Sequence, residues 1–458
     1  MSRCSSANWQ RSAKTTTDSA HLRRQLGKPV TWQSLAWLGK INAQQTRVRR
    51  IVCTAPLRDD TDRMHRSLCC LCLSLLALLC AACSPPASAP LDQQVYIWQR
   101  QWQPAHRQVL AQTKNDFTTL RVLALQFHPK AGWARAYPDL QQLIADGRPV
   151  VMVIRLDGQL PQPDQAQTLS QTASLLTEWQ ASGVNLQGVE IDHDCASARL
   201  PAYTDLLAAL RPTLPAGLAL SITALPTWLN SPHLQALLRQ VDSSVLQVHA
   251  INDPRDGLFD PRQAQRWAEA YGKRSEKPFM LALPAYGVAL IDSSRQVESE
   301  SPLDTGGSRR ELLADPQQVA NLLTTLHERR LENLHGIIWF RLPLPGDRRA
   351  WPLATLQAVM QGQPLSASIT VDVTQAGPLR ELTLVSTGNR DVGLPARVSL
   401  TGSHCEAADA VAGYRLEQSE NGPVFVRQQP ARLAAGQRQA LGWARCRRFD
   451  QGAIHVSP

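Results

Sequence analysis

Long hydrophobic runs are scarce in this 458-residue chain. The run from Leu68 to Ala82 is about 15 residues long, short of the roughly 20 that a membrane helix needs, and the composition does not indicate a multi-span membrane protein. No glycine-rich phosphate turn follows the first strand-like segment, which argues against a doubly wound dinucleotide-binding sheet. HExxH is absent, so the commonest helical zinc signature is missing. Of ten cysteines, positions 4 and 53 precede the apolar run and 69, 70, 72 and 80 lie within it. Only Cys83, Cys195, Cys405 and Cys446 remain beyond it, too few for a disulfide scaffold. Cys405 and Cys446 fall in one small C-terminal region, where they either pair after export or stay as two buried thiols.

What is present is ordinary globular material, 43% hydrophobic and 19% charged, with enough length for a barrel of about 250 residues and one smaller domain. The net charge of +10 suggests a nucleic-acid binder until it is located. Residues 1–63 hold 12 Lys and Arg against 4 Asp and Glu, and Arg66 adds one more. Residues 84–458 are therefore left near +1, with no electrostatic footprint for a polyanion, and no nucleic-acid partner is expected.

From Met64 the chain reads MHRSLCCLCLSLLALLCAACSPPAS: a short basic start, an apolar run, then small residues before a cysteine. This is the pattern of a signal peptide. Its end, Ala81-Ala82-Cys83, resembles a lipobox with Cys83 as the acylated residue. Leu79 lies one place early for that motif and Cys80 fills its usual position, so cleavage by an ordinary signal peptidase is the alternative. A signal cannot act from residue 64 of a basic, polar chain. Residues 1–63 are therefore read as an upstream extension from a misassigned start codon; the other reading is a cytoplasmic domain followed by a membrane helix. The expected location is the cell envelope, lipid-anchored on the periplasmic side, with Ser84 after the cysteine favouring the outer membrane.

After a tether at 84–94, strand-length apolar runs begin near Val95, Leu120, Pro149, Leu186, Ala219, Ser244, Phe279 and His335. Between them, apolar residues recur at helical spacing, as in Leu206, Leu207 and Leu210. Eight such runs, near-continuous in Val, Ile and Leu, predict an α/β fold over 95–361: a closed (βα)8 barrel whose strands are buried on both faces. The polar stretch from Val288 to Asp315 follows the seventh run and reads as a long loop, part of a lid or irregular. From 366 to 458 short alternating strands and an Asn421-Gly422 turn predict a small all-β sandwich-like domain.

The chemistry concentrates in Gly188-Val189-Glu190-Ile191-Asp192-His193-Asp194. Alternation along a strand puts Glu190, Asp192 and Asp194 on one face, roughly 7 Å apart, pointing into the barrel, and turns His193 away. Crowded carboxylates in a low dielectric raise one another's proton affinity, so one is expected to hold its proton as a general acid must. Asp194 lies at the carboxyl end of its strand, where barrel enzymes keep their catalytic groups. The competing reading is a buried ion-pair network with Arg155 or Arg341.

The stretch QGVEIDHD resembles the fourth-strand signature of glycoside hydrolase family 18, DGxDxDxE. Gln187 stands for its first Asp, Glu190 and Asp192 for the next two, and Asp194 for the catalytic Glu. LALPAYG, with Tyr286, is similar to the seventh-strand segment of that family, and Trp339 to its pocket-floor tryptophan. The whole layout, with signal, barrel and β-rich tail, most resembles the bacterial domain-of-unknown-function family 3142 (DUF3142), a relation that implies the fold and no activity.

By that resemblance Asp194 would protonate a glycosidic oxygen while Asp192 orients a 2-acetamido group whose carbonyl is the nucleophile, a known exception to the two-carboxylate scheme. Glu190 would complete the catalytic set, although Asp194 is one methylene shorter than the Glu it replaces. Trp98, Trp133, Trp228, Tyr286 and Trp339, near strand ends, are candidate stacking platforms for sugars, each equally a core residue. Arg155, His249, Asn252 and Asp253 would add polar contacts. A metal held by Asp192, Asp194 and His249 is disfavoured, Cys195 reads as a packed thiol, and no cofactor is expected. The partners expected are a glycan substrate and, through Cys83, a membrane; oligomeric state is not legible. The leading reading is an envelope-anchored hydrolase of an amino-sugar polysaccharide; the alternative is a non-catalytic glycan-binding or envelope-assembly lipoprotein.

Overall fold

The computed structural model describes residues 90–160, 164–249, 257–291, 296–298, 309–347, 349–450, 452 and 454–458. All belong to one compact unit, Ala87–Pro458. The residues read as a signal, a lipobox with Cys83 and an upstream extension lie outside those described, as do Asn252 and Asp253.

Eight parallel strands form the barrel: β1 (Asp92–Ile97), β2 (Thr119–His128), β3 (Val150–Leu156), β4 (Leu186–His193), β5 (Ala219–Ala224), β6 (Ser243–Gln247), β7 (Phe279–Pro284) and β8 (Leu334–Phe340). Each coincides with one of the apolar runs in the sequence. The sheet closes because β1 pairs with both β8 and β2. Helices connect the strands, among them Gln165–Ser182, Leu200–Leu210 and Pro316–Glu328. Several start on an aspartate whose carboxylate accepts backbone N–H groups that the first turn would leave unpaired, as Asp164, Asp260 and Asp315 do. No helix among the described residues is long and apolar enough to cross a membrane.

Strand alternation divides the apolar side chains into two sets. Val189, Ile191, Ile337 and Trp339 join the large core between sheet and helices. Tyr96, Leu123, Val153, Val245, Ala282 and Ile338 fill the barrel interior. β2 overruns its parallel neighbours and folds back on the antiparallel strand Gly132–Arg135. The polar stretch after β7 contains three short antiparallel strands, Gly287–Ile291, Gln296–Glu298 and Arg309–Leu313, where the sequence suggested only loop; its remaining residues lie outside those described.

The C-terminal region is all antiparallel. One four-stranded sheet orders Ile369–Ala376, Leu379–Ser386, Arg438–Arg448 and His404–Ala410; another orders Tyr414–Ser419, Gly422–Arg427, Arg397–Leu400 and Ile454–Ser457. Cys405 and Cys446 are disulfide-bonded across neighbouring strands, which resolves the two alternatives left by the sequence. Cys195 is a buried free thiol.

Candidate active site

A cavity of about 230 Å³ opens at the carboxyl ends of the barrel strands. Its floor and walls are built from the interior-facing positions of several strands, which is why its residues are far apart in sequence. β4 supplies Asp192 and, just past its end, Asp194; β3 supplies Arg155, paired in register with Asp192. β5 adds Thr223, β6 adds Gln247, and His249 and Tyr286 follow β6 and β7. Tyr96, Trp98 and Phe340 complete the lining with Arg341, whose peptide bond to Phe340 is cis.

The two aspartates are joined through one side chain. Gln247 Nε2 donates to Asp192 Oδ1 at 3.3 Å and to Asp194 Oδ1 at 3.4 Å, and Thr223 Oγ1 donates to Asp192 Oδ1 at 2.7 Å. Desolvation, reinforced by the charge of Asp192, pushes the Asp194 carboxyl up from the ordinary carboxylate range to about 7. One methylene-short acid thus has the proton affinity of a group that gives and takes protons near neutrality.

Below them lies a second polar layer. Glu190 is fully buried; it accepts from Tyr96 Oη at 2.6 Å, from Ser221 Oγ at 3.3 Å, and from the Arg121 guanidinium, with which it forms an ion pair. Burial raises its proton affinity, and Arg121 opposes that rise. Glu190 therefore does not line the cavity, contrary to the catalytic role the sequence assigned it. Its lone pairs are committed to neighbours one layer beneath the opening. Of the ion-pair network that was the competing reading, one part is present, Arg155 Nε at 3.8 Å from Asp192 Oδ2, whereas Arg341 pairs with Asp347 at 2.6 Å.

Aromatic rings form the apolar wall. Phe340 sits at its centre, stacked on His249 at 5.3 Å and edge-on to Trp98, Tyr96 and Tyr286. His249 Nδ1 lies 3.2 Å from the Tyr286 hydroxyl. Burial drives the His249 imidazole down to about 4, so it is neutral at physiological pH. Trp339 is not the floor: it faces the outer core, donating to Gln93 Oε1 at 2.7 Å and packing against Trp351. Neighbours on a strand point opposite ways, so the ring available to the cavity is Phe340. Trp228 is likewise buried away from the site, bonded to the Cys195 carbonyl, and Trp133 packs on Phe127.

Trp98, Arg155, Asp192, Asp194, His249 and Tyr286 are thus brought together as anticipated. Tyr96, Thr223, Gln247 and Phe340 were not singled out in the sequence. A usable signal existed for two of them: Thr223 and Gln247 are polar residues inside apolar strand runs. Among the described residues no group of three His, Cys, Asp or Glu side chains is arranged to hold a metal ion.

No curated protein matches this sequence. Among solved structures it is similar to the spore cortex-lytic enzyme SleL of Bacillus cereus, at 12% identity over 62% of this chain and 76% of that one, with a TM-score of 0.44. A chitinase of Chromobacterium violaceum is similar at 14% identity over 59% of this chain and 98% of that one, TM-score 0.43. A chitinase of Bacteroides thetaiotaomicron is similar at 9% identity over 60% and 97%, TM-score 0.44. Likeness at this level transfers no activity. Residues 369–447 match the model of a domain of unknown function, DUF8456. Residues 146–345, which carry β3 to β8 and every lining residue of the cavity except Tyr96 and Trp98, match the family model described as a domain of unknown function, DUF3142, in agreement with the resemblance in the sequence.

Proposed function

We propose that the cavity is the active site of a hydrolase acting on an amino-sugar polysaccharide, with Asp194 as the proton donor. The observation that carries this reading is the Asp192–Gln247–Asp194 arrangement: a carboxyl with a proton affinity near 7 at the carboxyl end of β4, one glutamine away from a second carboxylate. In the cleavage step Asp194 transfers its proton to the glycosidic oxygen as the bond from that oxygen to the anomeric carbon breaks. The carbonyl oxygen of the neighbouring 2-acetamido group closes on the anomeric carbon, while Asp192, fixed by Thr223 and Gln247, accepts the amide N–H and offsets the developing positive charge. Asp194, now a carboxylate, then takes a proton from water as its oxygen attacks the same carbon, opening the ring and restoring the acid. Phe340 and Tyr286, the partly exposed rings of the wall, supply apolar surface for a sugar. A lipid on Cys83 would hold the enzyme at the envelope, a reading that rests on the sequence of residues 64–83.

The test is to incubate the full-length protein and its Asp194→Asn variant with chitin, peptidoglycan and exopolysaccharide fragments and to detect new reducing ends by mass spectrometry. Cleavage by the wild type alone supports the hydrolase. Saturable binding by both proteins without any cleavage would overturn it in favour of a glycan-binding lipoprotein.

A further inference from the structure

We propose that Arg155 selects a sugar bearing a carboxylate, so that the preferred substrate of this cavity is an acidic glycan; the inference rests on the glycan-active reading above. Arg155 lies on the interior face of β3 with 41% of its side chain exposed, its guanidinium over Trp98 at 5.7 Å from the ring centre. The Nε–Asp192 distance of 3.8 Å is too long for a hydrogen bond. Asp192 already accepts from Thr223 and Gln247 through its other oxygen. The other two arginines of the barrel interior have close acceptors: Arg121 bonds Gln94 and Glu190, and Arg341 bonds Asp347. Arg155 alone of the three makes no hydrogen bond to a side chain or carbonyl among the described residues.

A sugar seated in the cavity against Arg155 would strip water from these donors. Leaving them unmet would penalise binding, so the ligand itself has to supply acceptors. A hydroxyl offers one; a carboxylate accepts two parallel bonds in the planar fork geometry of guanidinium. While Asp194 keeps its proton, below about pH 7, an incoming anion faces one negative charge fewer beside Asp192, with Asp157 the other carboxylate whose field reaches Asp194. Two kinds of sugar carry such a group in reach of a ring face: a hexuronate, and an amino sugar with a carboxyethyl ether.

Calorimetry on full-length Asp194→Asn reads binding without turnover. The probes are hexuronate oligosaccharides and carboxyethyl-ether amino-sugar oligosaccharides, each compared with its carboxyl-reduced alcohol and with neutral chitin oligomers. We expect one acid to bind at least about tenfold more tightly than its alcohol, the series concerned identifying the source of the carboxylate. Adding Arg155→Gln should abolish the preference, and Arg155→Lys should keep part of it. Equal affinity for acid and alcohol in both series, or a preference that survives Arg155→Gln, would overturn the assignment while leaving glycan binding intact. Failure of every glycan to bind would remove the underlying reading and this inference with it. The acid-to-alcohol comparison needs no change at Arg155, so a poorly folded variant does not blunt the test.

Discussion

A Cβ added at Gly158 would stand 2.1 Å from the Asp194 carbonyl oxygen and 3.2 Å from the Asp194 Cβ. The loop after β3 therefore lies directly against the backbone that carries the acid, and only glycine fits there. Gly158→Ala should push the two apart, and a displacement of about 1 Å can cost roughly 100-fold in rate. Turnover number and melting temperature measured together will separate lost positioning from lost folding, because the first falls far more than the second. The proton affinity of Asp194 makes two further predictions. If it is the acid, kcat should decline as pH rises through about 7.

The same raised affinity has a cost in stability. Unfolded, the carboxyl ionises near its ordinary value of 3.8; folded, it resists ionisation until about 7. Stability contributed by this group is thus full below 3.8 and declines as pH rises toward 7. Asp194→Asn, neutral throughout, should melt higher than the wild type, with a gap that widens from pH 4 to pH 7 and then levels off. A gap that is constant with pH would refute the shift.

At the scale of elements, β8 divides its side chains cleanly: Ile337 and Trp339 outward, Ile338 and Phe340 inward. Trp339→Ala should therefore cost about 3–5 kcal/mol of stability as a buried ring is lost from the outer core. Phe340→Ala should weaken glycan binding with a smaller stability loss; denaturant titration and binding isotherms on the two variants will show the split. This strand also shows why the sequence was only partly legible. The eight apolar runs mark the strands because a strand buried on both faces must be apolar throughout. That same property hides which parity faces inward, and Trp339 was misassigned for this reason. On β4 the parity was readable, since three carboxylates alternate with Val189, Ile191 and His193. Glu190 was correctly placed inside the barrel, but its partner Arg121 lies 69 residues away, and no spacing rule connects them. Without that contact, a buried structural anion and a catalytic one look alike.

For the molecule as a whole, the Cys405–Cys446 bond ties together the strands that hold the C-terminal sheet. Cys405→Ala should lower stability by about 2–4 kcal/mol, and dithiothreitol should lower the wild-type melting temperature toward that of the variant. Closure of the barrel, in which β1 hydrogen-bonds on both sides, bears on how this protein fails. The closed ring of eight strands exposes no row of unpaired backbone groups on which a second chain could add a strand, and the edges appended to it, Gly132–Arg135, Gln296–Glu298 and Arg309–Leu313, are short. The C-terminal sheets do have borders, and Ile369–Ala376 is one of them, paired on one side only, with Ile369, Val371 and Val373 half-buried along it. Aggregation of the folded protein should accordingly nucleate at the small domain, leaving the large one as a passenger in any fibre or oligomer that forms.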